Sequence, residues 1–207
     1  KCDYVFLTVK PQYYAPVIEG IKDHVKENHV FISIGAGVTL DYLGKAFGDK
    51  NVKLVRVMPN TLAQVGEGMS AACPNEFVSE EETKTTLSIL SAFGKAEIIP
   101  ENLFDVVTGI SGSGPAYVFL FIEALADAAV VGGMPRRQAY EFAAQTVYGA
   151  AKMVMETGKH PGELKDMVCS PAGTTIAAVR TLEANNFRSA VIEGANAATE
   201  KSAAMRG

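Results

Sequence analysis

The sequence has 207 residues, enough for one large domain or two small ones. With 48% hydrophobic and 20% charged residues it is typical of a globular protein, because disordered and fibrous chains lack the apolar content that offsets chain entropy. Its formal charge of −4 provides no basic field for a polyanion, so we expect no nucleic-acid partner.

Strand-like and helix-like segments alternate over residues 1–99. The predicted strands, rich in β-branched and aromatic residues, are Tyr4–Val9, Val30–Ile34, Leu54–Met58, Met69–Cys73 and Ala96–Ile99. The predicted helices between them are residues 15–27, 39–47 and 80–94. Strands that alternate with helices favour right-handed crossovers, so we expect an α/β domain with a parallel sheet covered on both faces.

Residues 100–207 show helical periodicity alone, which places a domain boundary near residue 100 and predicts an all-α second domain. The predicted helices are Ala116–Val131, Arg136–Glu156, Pro161–Val168, Thr175–Glu183 and Phe187–Ala203. The first is apolar enough to be buried on most sides. Because it carries Glu123 and Asp127 at mid-span, we interpret it as a core or subunit-interface helix and not as a membrane helix. So many apolar helix faces predict that a second copy of the chain covers them.

The cysteines and the start of the chain indicate where the protein works. Cys2, Cys73 and Cys169 are odd in number and lack paired or metal-like spacing, which indicates reduced thiols, a cytoplasmic protein and no zinc site.

The chain begins at Lys1 almost within its first predicted strand, without a signal segment. We therefore expect that further residues of the protein precede Lys1.

Loops that follow the first three predicted strands are candidate ligand contacts. These loops are Thr8–Pro11, Gly35–Gly37 and Met58–Thr61. Because ligands of open parallel sheets bind outside the carboxyl ends of the strands, the three loops should face one crevice. The two glycines of the second loop permit close approach of a ligand to the backbone, and Lys10 offers a cation to a phosphate or ribose. Each loop alone is more typical of an ordinary turn, and only the three together make a ligand site as well supported as ordinary turns.

Two small-residue segments that enter helices are further candidates. The loop Ser170–Thr175 exposes backbone N–H groups at the positive end of a helix dipole, a favourable place for a carboxylate or phosphate. The hydroxyls of Ser170, Thr174 and Thr175 can add hydrogen bonds. The alternative is an ordinary cap, in which Thr174 or Thr175 satisfies the first helical turn. The Gly/Ser-rich segment Thr108–Pro115 is more typical of a tight packing turn.

Side chains for hydrolytic catalysis are not recognisable in the sequence. His24, His29 and His160 stand alone, without the pattern of a Ser-His-Asp triad or a metal site. Cys169 adjoins the Ser170–Thr175 loop, but no base is evident beside it. A triad or a zinc-activated water therefore has no support.

Six motifs taken together identify a family. They are Val9-Lys-Pro11, Gly35-Ala-Gly-Val-Thr39, Val57-Met-Pro-Asn60, Thr108–Tyr117, Pro135-Arg-Arg137 and the long stretch His160–Glu183. In this order they resemble the signatures of the pyrroline-5-carboxylate reductases, enzymes of the last step of proline synthesis. The resemblance covers essentially the whole chain. It implies the C-terminal part of a Rossmann domain at 1–99 and a helical substrate-binding and dimerisation domain at 100–207.

The resemblance also implies an activity. It implies hydride transfer from NADPH or NADH to the ring imine carbon of 1-pyrroline-5-carboxylate, giving L-proline, in a homodimer or a higher oligomer built from dimers. The implied dinucleotide contacts are Thr8, Val9, Lys10, Pro11, Ile34, Gly35 and Ala36. The implied substrate contacts are Ser170, Ala172, Gly173, Thr174 and Thr175, with Thr175 as the catalytic residue near the ring nitrogen. The implied enzyme needs no metal and has no membrane or nucleic-acid partner.

Two features depart from the family pattern. Ala172 stands where the family often has glycine, which keeps the backbone accessible if its φ is negative. The family's Gly-x-Gly-x-x-Gly fingerprint belongs to a region of about sixty residues that would precede Lys1, so the sequence does not distinguish NAD from NADP. Two alternatives remain: another dehydrogenase with a helical dimerisation domain, of the 3-hydroxyacid or 6-phosphogluconate type, and a non-catalytic dimerising fragment.

Overall fold

The computed structural model describes residues 2–48 and 51–205 and divides into two compact units. The first unit comprises residues 1–115 and 195–207, and the second comprises residues 116–194. Every strand found in the described residues lies in the first unit. The second unit is helical.

A five-stranded sheet forms the centre of the first unit. Its strands are β1 (Tyr4–Leu7), β2 (Val30–Ser33), β3 (Lys53–Met58), β4 (Gly68–Pro74) and β5 (Gly94–Ile98), in that spatial order. The predicted strands are confirmed, with ends that move by one or two residues. The first strand ends at Leu7 because the chain turns into a 3-10 helix at Pro11–Tyr13.

The strands β1, β2 and β3 are parallel neighbours, and β4 and β5 are parallel to each other. The pair β3–β4 is antiparallel, so the expectation of a parallel sheet is wrong at this one junction. The reason lies in the connection. Only residues 59–67 join β3 to β4, whereas a parallel crossover needs about a dozen residues or more.

Three helices cover the sheet: α1 (Tyr14–Ile21), α2 (Leu40–Ala46) and α3 (Glu80–Ser91). One core cluster joins β1, β2 and β3 to α1 and α2, and a second joins β2, β3 and β4 to α3. In β2, Phe31 belongs to the first cluster and Val30 and Ile32 to the second. The sheet is therefore buried on both faces, as predicted, which is why β2 is an unbroken apolar run.

Polar bonds connect the sheet to the segment after residue 100. Arg56 of β3 is buried, and its guanidinium lies 2.9 Å from Glu101 Oε1 and 4.5 Å from the ring centre of Phe104. The same Glu101 oxygen accepts a 2.8 Å hydrogen bond from the Leu40 N–H. This short segment therefore packs with the sheet.

The segment that follows also belongs to the first unit. It contains α4 (Phe104–Val107) and a π-helical turn at Thr108–Gly112, called the π-turn below. Ser202, near the end of the chain, donates a 2.8 Å hydrogen bond to Asp105. The predicted boundary near residue 100 matches the change from strands to helices, whereas the compact units divide at residue 115.

Five helices follow the π-turn, and all five were predicted to within two residues. They are α5 (Gly114–Val131), α6 (Arg136–Thr157), α7 (Pro161–Val168), α8 (Thr174–Ala184) and α9 (Phe187–Ala204). The core of the second unit is small and centres on Ala126, Ala139 and Ala143. Alanine at these positions allows α5 and α6 to approach closely.

The helix α5 leaves much of its apolar surface uncovered in a single chain. Phe119 is 59% and Leu120 66% exposed, so the expectation of burial on most sides is wrong for the isolated chain. Within the described residues, Glu101–Val131 is the one helical stretch whose length and apolar composition would suffice to cross a membrane. Only 17% of its most apolar segment is buried. Apolar surface of this extent is typical of an interaction surface.

Candidate cofactor and substrate sites

The loops after β1, β2 and β3 lie at the same edge of the sheet, because these three strands are parallel neighbours. In the first loop, Thr8 and Lys10 are exposed, and Val9 packs against the first core cluster. Pro11 starts the 3-10 helix that carries the chain away from this edge. Lys10 has no ion pair among the described residues. The loop therefore presents a hydroxyl and an ammonium group to solvent.

The second loop places glycine against the protein interior. Gly35 is buried, and a Cβ at this position would lie 2.8 Å from both the Tyr14 hydroxyl and Val38 Cγ2. Ile34 packs against the second core cluster, and Ala36 is exposed. The close approach that requires glycine here comes from Tyr14 and Val38 inside the protein. The backbone that a ligand can reach is at Ala36.

Sequence reasoning missed Tyr14. Its hydroxyl donates a 2.7 Å hydrogen bond to the Leu7 carbonyl and accepts a 3.1 Å hydrogen bond from Ser33 Oγ. Tyr14 and Ser33 are both fully buried. The available signal was a tyrosine on the apolar face of α1, because a buried phenol needs hydrogen-bond partners.

Two cavities open at this edge. The larger, about 460 Å³, is lined by the loop Met58–Thr61 and by Thr108, Gly112 and Ser113. The smaller, about 270 Å³, is lined by Ala36, Gly37, Thr108 and Ser113 together with the end of α9. The two cavities thus share the residues Thr108 and Ser113.

The donors at this edge fit a dinucleotide cofactor. A phosphate or ribose needs cations, hydroxyls and exposed backbone, and Lys10, Thr8 and Ala36 provide one of each. The loops also stand at the carboxyl ends of parallel strands, where α/β sheets bind nucleotides. The contacts themselves remain a prediction.

The second candidate site, the Ser170–Thr175 loop, belongs to the second unit. The Gly173 N–H donates a 3.1 Å hydrogen bond to the Ser170 carbonyl, which closes a four-residue turn with Pro171 and Ala172 at its centre. Ala172 has a φ of +57°, so the condition of a negative φ, under which the backbone would stay accessible, is not met. The left-handed conformation suits the third position of a type II turn, where glycine is usual.

Glycine is required at the next position. A Cβ on Gly173 would lie 2.3 Å from Ser170 Oγ, so the turn closes against the serine side chain. Gly173 is the N-cap of α8, and its carbonyl accepts the Ala177 N–H at 3.3 Å. The N–H groups of Thr174, Thr175 and Ile176 precede the first intrahelical bond and have no partner in the described chain.

The hydroxyls of this loop are uncommitted. The alternative prediction, in which Thr174 or Thr175 caps the helix, is wrong, because Gly173 holds that position without a side-chain hydrogen bond. Within the described residues, Ser170, Thr174 and Thr175 make no side-chain hydrogen bonds. Ser170 and Thr174 are exposed, and Thr175 is half-buried. The short segment 170–176 thus carries three backbone N–H groups and three hydroxyls that are available to bind an anion.

The remaining titratable groups suggest no competing centre. Burial and the nearby Glu101 raise the pKa of the Cys73 thiol, so this cysteine stays protonated and unreactive at neutral pH. Across residues 2–48 and 51–205, no three His, Cys, Asp or Glu side chains lie close enough together to hold a metal ion. His160 is the N-cap of α7, with Nδ1 accepting the Gly162 N–H at 3.0 Å.

Comparison with known proteins decides the family. Residues 101–205 match the family described as "Pyrroline-5-carboxylate reductase dimerisation". The pyrroline-5-carboxylate reductase of Escherichia coli K12 is 55% identical over 200 residues, which cover 97% of this chain and 74% of that protein. The chain belongs to the pyrroline-5-carboxylate reductase family. This membership decides against a dehydrogenase of the 3-hydroxyacid or 6-phosphogluconate type.

Solved pyrroline-5-carboxylate reductases share the fold of the whole chain. The Coxiella burnetii structure aligns with a TM-score of 0.95 at 35% sequence identity. The alignment covers 100% of this chain and 77% of the Coxiella chain. The Plasmodium falciparum structure, with NADP bound, aligns with a TM-score of 0.89 at 37% sequence identity. That alignment covers 100% of this chain and 78% of the Plasmodium chain. The predicted family, the Rossmann-like α/β fold with a helical dimerisation part, the reductase class and the use of NAD(P)H are confirmed.

Proposed function

We propose that this protein reduces 1-pyrroline-5-carboxylate to L-proline with NADPH or NADH, in the cytoplasm and as a homodimer or an assembly of dimers. Family membership supports the reaction class. The observation that carries the substrate is the start of α8, where three unpartnered N–H groups and three free hydroxyls suit a small carboxylate.

The reaction needs orientation more than acid–base catalysis. When bound, NAD(P)H supplies the hydride that the imine carbon accepts. The imine nitrogen carries the proton, and the C=N bond becomes a C–N bond without a leaving group. Because a cyclic imine is basic enough to be protonated near neutral pH, no strong acid on the protein is required. The protein must hold the imine carbon about 3–3.5 Å from the hydride donor and exclude water.

Each residue of the loop has a role in this proposal. The N–H groups of Thr174, Thr175 and Ile176 hold the substrate carboxylate at the positive end of α8. Gly173 and the left-handed Ala172 keep the turn compact, so that Ser170 lies beside these donors. The hydroxyl of Thr175, which is half-buried, makes a hydrogen bond with the ring nitrogen.

At the sheet edge the roles are those of a nucleotide site. Lys10 neutralises phosphate charge, the Thr8 hydroxyl binds a polar edge of the cofactor, and the exposed backbone at Ala36 lies against it. Val9, Ile34 and Gly35 shape these loops from within, and the exposed Pro11 begins the 3-10 helix that ends the first loop. Mutating Lys10 should therefore raise the dissociation constant of the cofactor while the free energy of unfolding stays nearly unchanged.

A second copy of the chain is the partner for the exposed apolar helices. Phe119, Leu120 and Phe142 are each 59–66% exposed, and the region that contains them matches the family's dimerisation region. Glu123 and Asp127 on the same helix are exposed carboxylates that a hydrocarbon environment would desolvate at high cost. We therefore assign this surface to subunit contact and not to a membrane.

The proposal is tested by assaying the purified protein for oxidation of NADPH that depends on 1-pyrroline-5-carboxylate, with proline identified by mass spectrometry. Its oligomeric state is measured by light scattering. We expect turnover by a dimer or larger assembly, and no turnover of a 3-hydroxyacid with the oxidised cofactor. A dimer that binds neither cofactor nor substrate would support the non-catalytic alternative and contradict the proposal.

A further inference from the structure

Two sequence motifs that the proposed function does not use lie in contact. Asn60, in the loop after β3, donates 3.2 Å hydrogen bonds from Nδ2 to both the carbonyl and the hydroxyl of Ser111. Its Oδ1 accepts a 3.1 Å hydrogen bond from the Met69 N–H. One amide side chain therefore joins the end of β3, the beginning of β4 and the π-turn.

The π-turn has a defined internal geometry. The Ser113 N–H donates to the Thr108 carbonyl at 2.8 Å, a five-residue spacing wider than that of an α-helix. The Thr108 hydroxyl donates to the Phe104 carbonyl at 2.8 Å. Such π-helical turns are rare in proteins overall, but those that occur are often found at functional sites. They place side chains in positions that a regular α-helix would not.

Two glycines allow the π-turn to be held from both sides. A Cβ on Gly109 would lie 2.2 Å from Thr199 Oγ1 and 2.8 Å from the Ala195 carbonyl, both in α9. A Cβ on Gly112 would lie 3.1 Å from Met58 Cε. The π-turn is therefore fitted between α9 and the loop after β3, and the glycines serve tight packing as predicted.

Thr108, which begins the π-turn, and Ser113, which follows it, lie beside the candidate cofactor loop at Ala36 and Gly37. Thr108 and Ser113 line both cavities at the sheet edge, one of which also includes Ala36 and Gly37. Ser113 is half-buried, and its hydroxyl has no hydrogen bond within the described chain. The position of the π-turn thus sets the shape of the space beside the candidate cofactor loop.

We propose that Asn60 is a positioning residue of the reductase, which holds the π-turn so that Thr108 and Ser113 form a wall for the reacting end of the cofactor. This inference rests on the proposed function. Asn60 also lines the larger cavity, but its proposed role lies in the hydrogen bonds that hold the π-turn. Hydride transfer depends on the close approach of two atoms. A small displacement of this wall therefore lowers kcat strongly, even where the free energy of unfolding changes little.

Asn75 provides a matched control. It bridges backbone groups of the same sheet in the same way, with Oδ1 accepting from the Leu54 N–H at 3.1 Å and Nδ2 donating to the Val52 carbonyl at 2.9 Å. It lies at the opposite edge of the sheet, where β3 begins and β4 ends. Changing either asparagine to aspartate replaces an amide donor that faces a carbonyl with an acceptor, at nearly constant volume.

The test compares the full enzyme with its Asn60→Asp and Asn75→Asp variants, measuring melting temperature and kcat at saturating NADPH and substrate. We expect similar losses of melting temperature in the two variants. We expect kcat to fall about 10- to 100-fold in Asn60→Asp and to stay within about twofold of the wild-type value in Asn75→Asp. Equal kcat losses in the two variants would overturn the inference.

A second variant keeps the test decisive should Asn60→Asp not fold. Ser113→Val adds bulk to the wall and leaves every hydrogen bond of Asn60 in place. We expect an unchanged melting temperature with a reduced kcat or a raised KM for NADPH, and unchanged kinetics would overturn the inference. The wild-type assay separates the two proposals: an inactive wild type contradicts the proposed function as well, whereas an active wild type with unaffected variants contradicts this inference alone.

Discussion

The hydroxyl of Tyr14 lies 2.7 Å from the carbonyl oxygen of Leu7 and donates a hydrogen bond to it. The same hydroxyl accepts from Ser33, so one buried phenol joins the last residues of β1 and β2. Both candidate cofactor loops start immediately after these residues. Tyr14 therefore adds a side-chain bridge to the backbone pairing of β1 and β2 at the start of the two loops.

We expect Tyr14→Phe to weaken cofactor binding. The change removes the partner of the Ser33 hydroxyl in the core and leaves the Leu7 carbonyl with only the 3.4 Å hydrogen bond from the Ile34 N–H, which costs about 1–3 kcal/mol of stability. KM for NADPH should rise, while kcat at saturating cofactor stays near the wild-type value. Steady-state kinetics with Tyr42→Phe as control check this, because the Tyr42 hydroxyl makes no hydrogen bond in the described chain. Equal KM values for both variants would contradict the role of Tyr14.

Thr175→Ala tests the proposed substrate contact. Losing a hydrogen bond to a charged ring nitrogen should cost about 1.5–3 kcal/mol, or roughly ten- to a hundredfold in kcat/KM. Thr175→Ser should restore most of the rate. The control is Thr181→Ala in the same helix, since the Thr181 hydroxyl is bonded to the Ala177 carbonyl and faces solvent. A wild-type rate in Thr175→Ala, with the oligomer intact by size-exclusion chromatography, would remove Thr175 from the mechanism.

Ala172→Gly tests the left-handed turn. With φ at +57°, alanine carries a strain of about 1–2 kcal/mol, which glycine relieves at a smaller cost in chain entropy. We expect Ala172→Gly to stabilise the protein by up to about 1 kcal/mol, whereas Ala178→Gly, inside α8, should destabilise it by about 1 kcal/mol. Urea unfolding of both variants measures the difference, and two changes of the same sign would contradict the assigned conformation.

Glu82 makes part of the stability depend on pH. It forms a capping box with Ser79 at the start of α3, and its Oε1 lies 2.7 Å from Lys53 Nζ. Burial alone raises the Glu82 pKa, but the hydrogen bonds from Lys53 and Ser79 outweigh burial and bring the pKa below its ordinary value. A carboxylate with a depressed pKa contributes stability above its unfolded pKa and loses it as the pH falls through the folded pKa.

The free energy of unfolding of the wild type should therefore decline as the pH drops below the ordinary glutamate range. Glu82→Gln should cost about 1 kcal/mol at neutral pH and flatten this acidic decline. Glu80→Gln, on an exposed side chain of the same first turn, serves as the control and should leave the pH profile unchanged. Denaturant unfolding at neutral and acidic pH measures both quantities. Parallel profiles for the wild type and Glu82→Gln would contradict the assignment.

Sequence patterns alone located the local elements and identified the family. Runs of β-branched and aromatic residues located the five strands and helical periodicity located the major helices to within a few residues, except that the first helix ends at Ile21 and not at residue 27. The order β1-helix-β2-helix-β3 was enough to place the loops after Leu7, Ser33 and Met58 at one edge. The small residues of Ser170–Thr175 made this helix start a candidate anion site beside the alternative of an ordinary cap, and its binding role stays a prediction.

Contacts between residues that are distant in sequence came from the tertiary structure. Tyr14 meets Ser33 across 19 positions and Asn60 meets Ser111 across 51, and no local pattern specifies which of many polar side chains will pair. The reversal of β4, the left-handed Ala172 and the exposed face of α5 likewise depend on the whole packing. Local periodicity reports only which side of an element is buried, whereas partners and backbone strain are set by every neighbour at once.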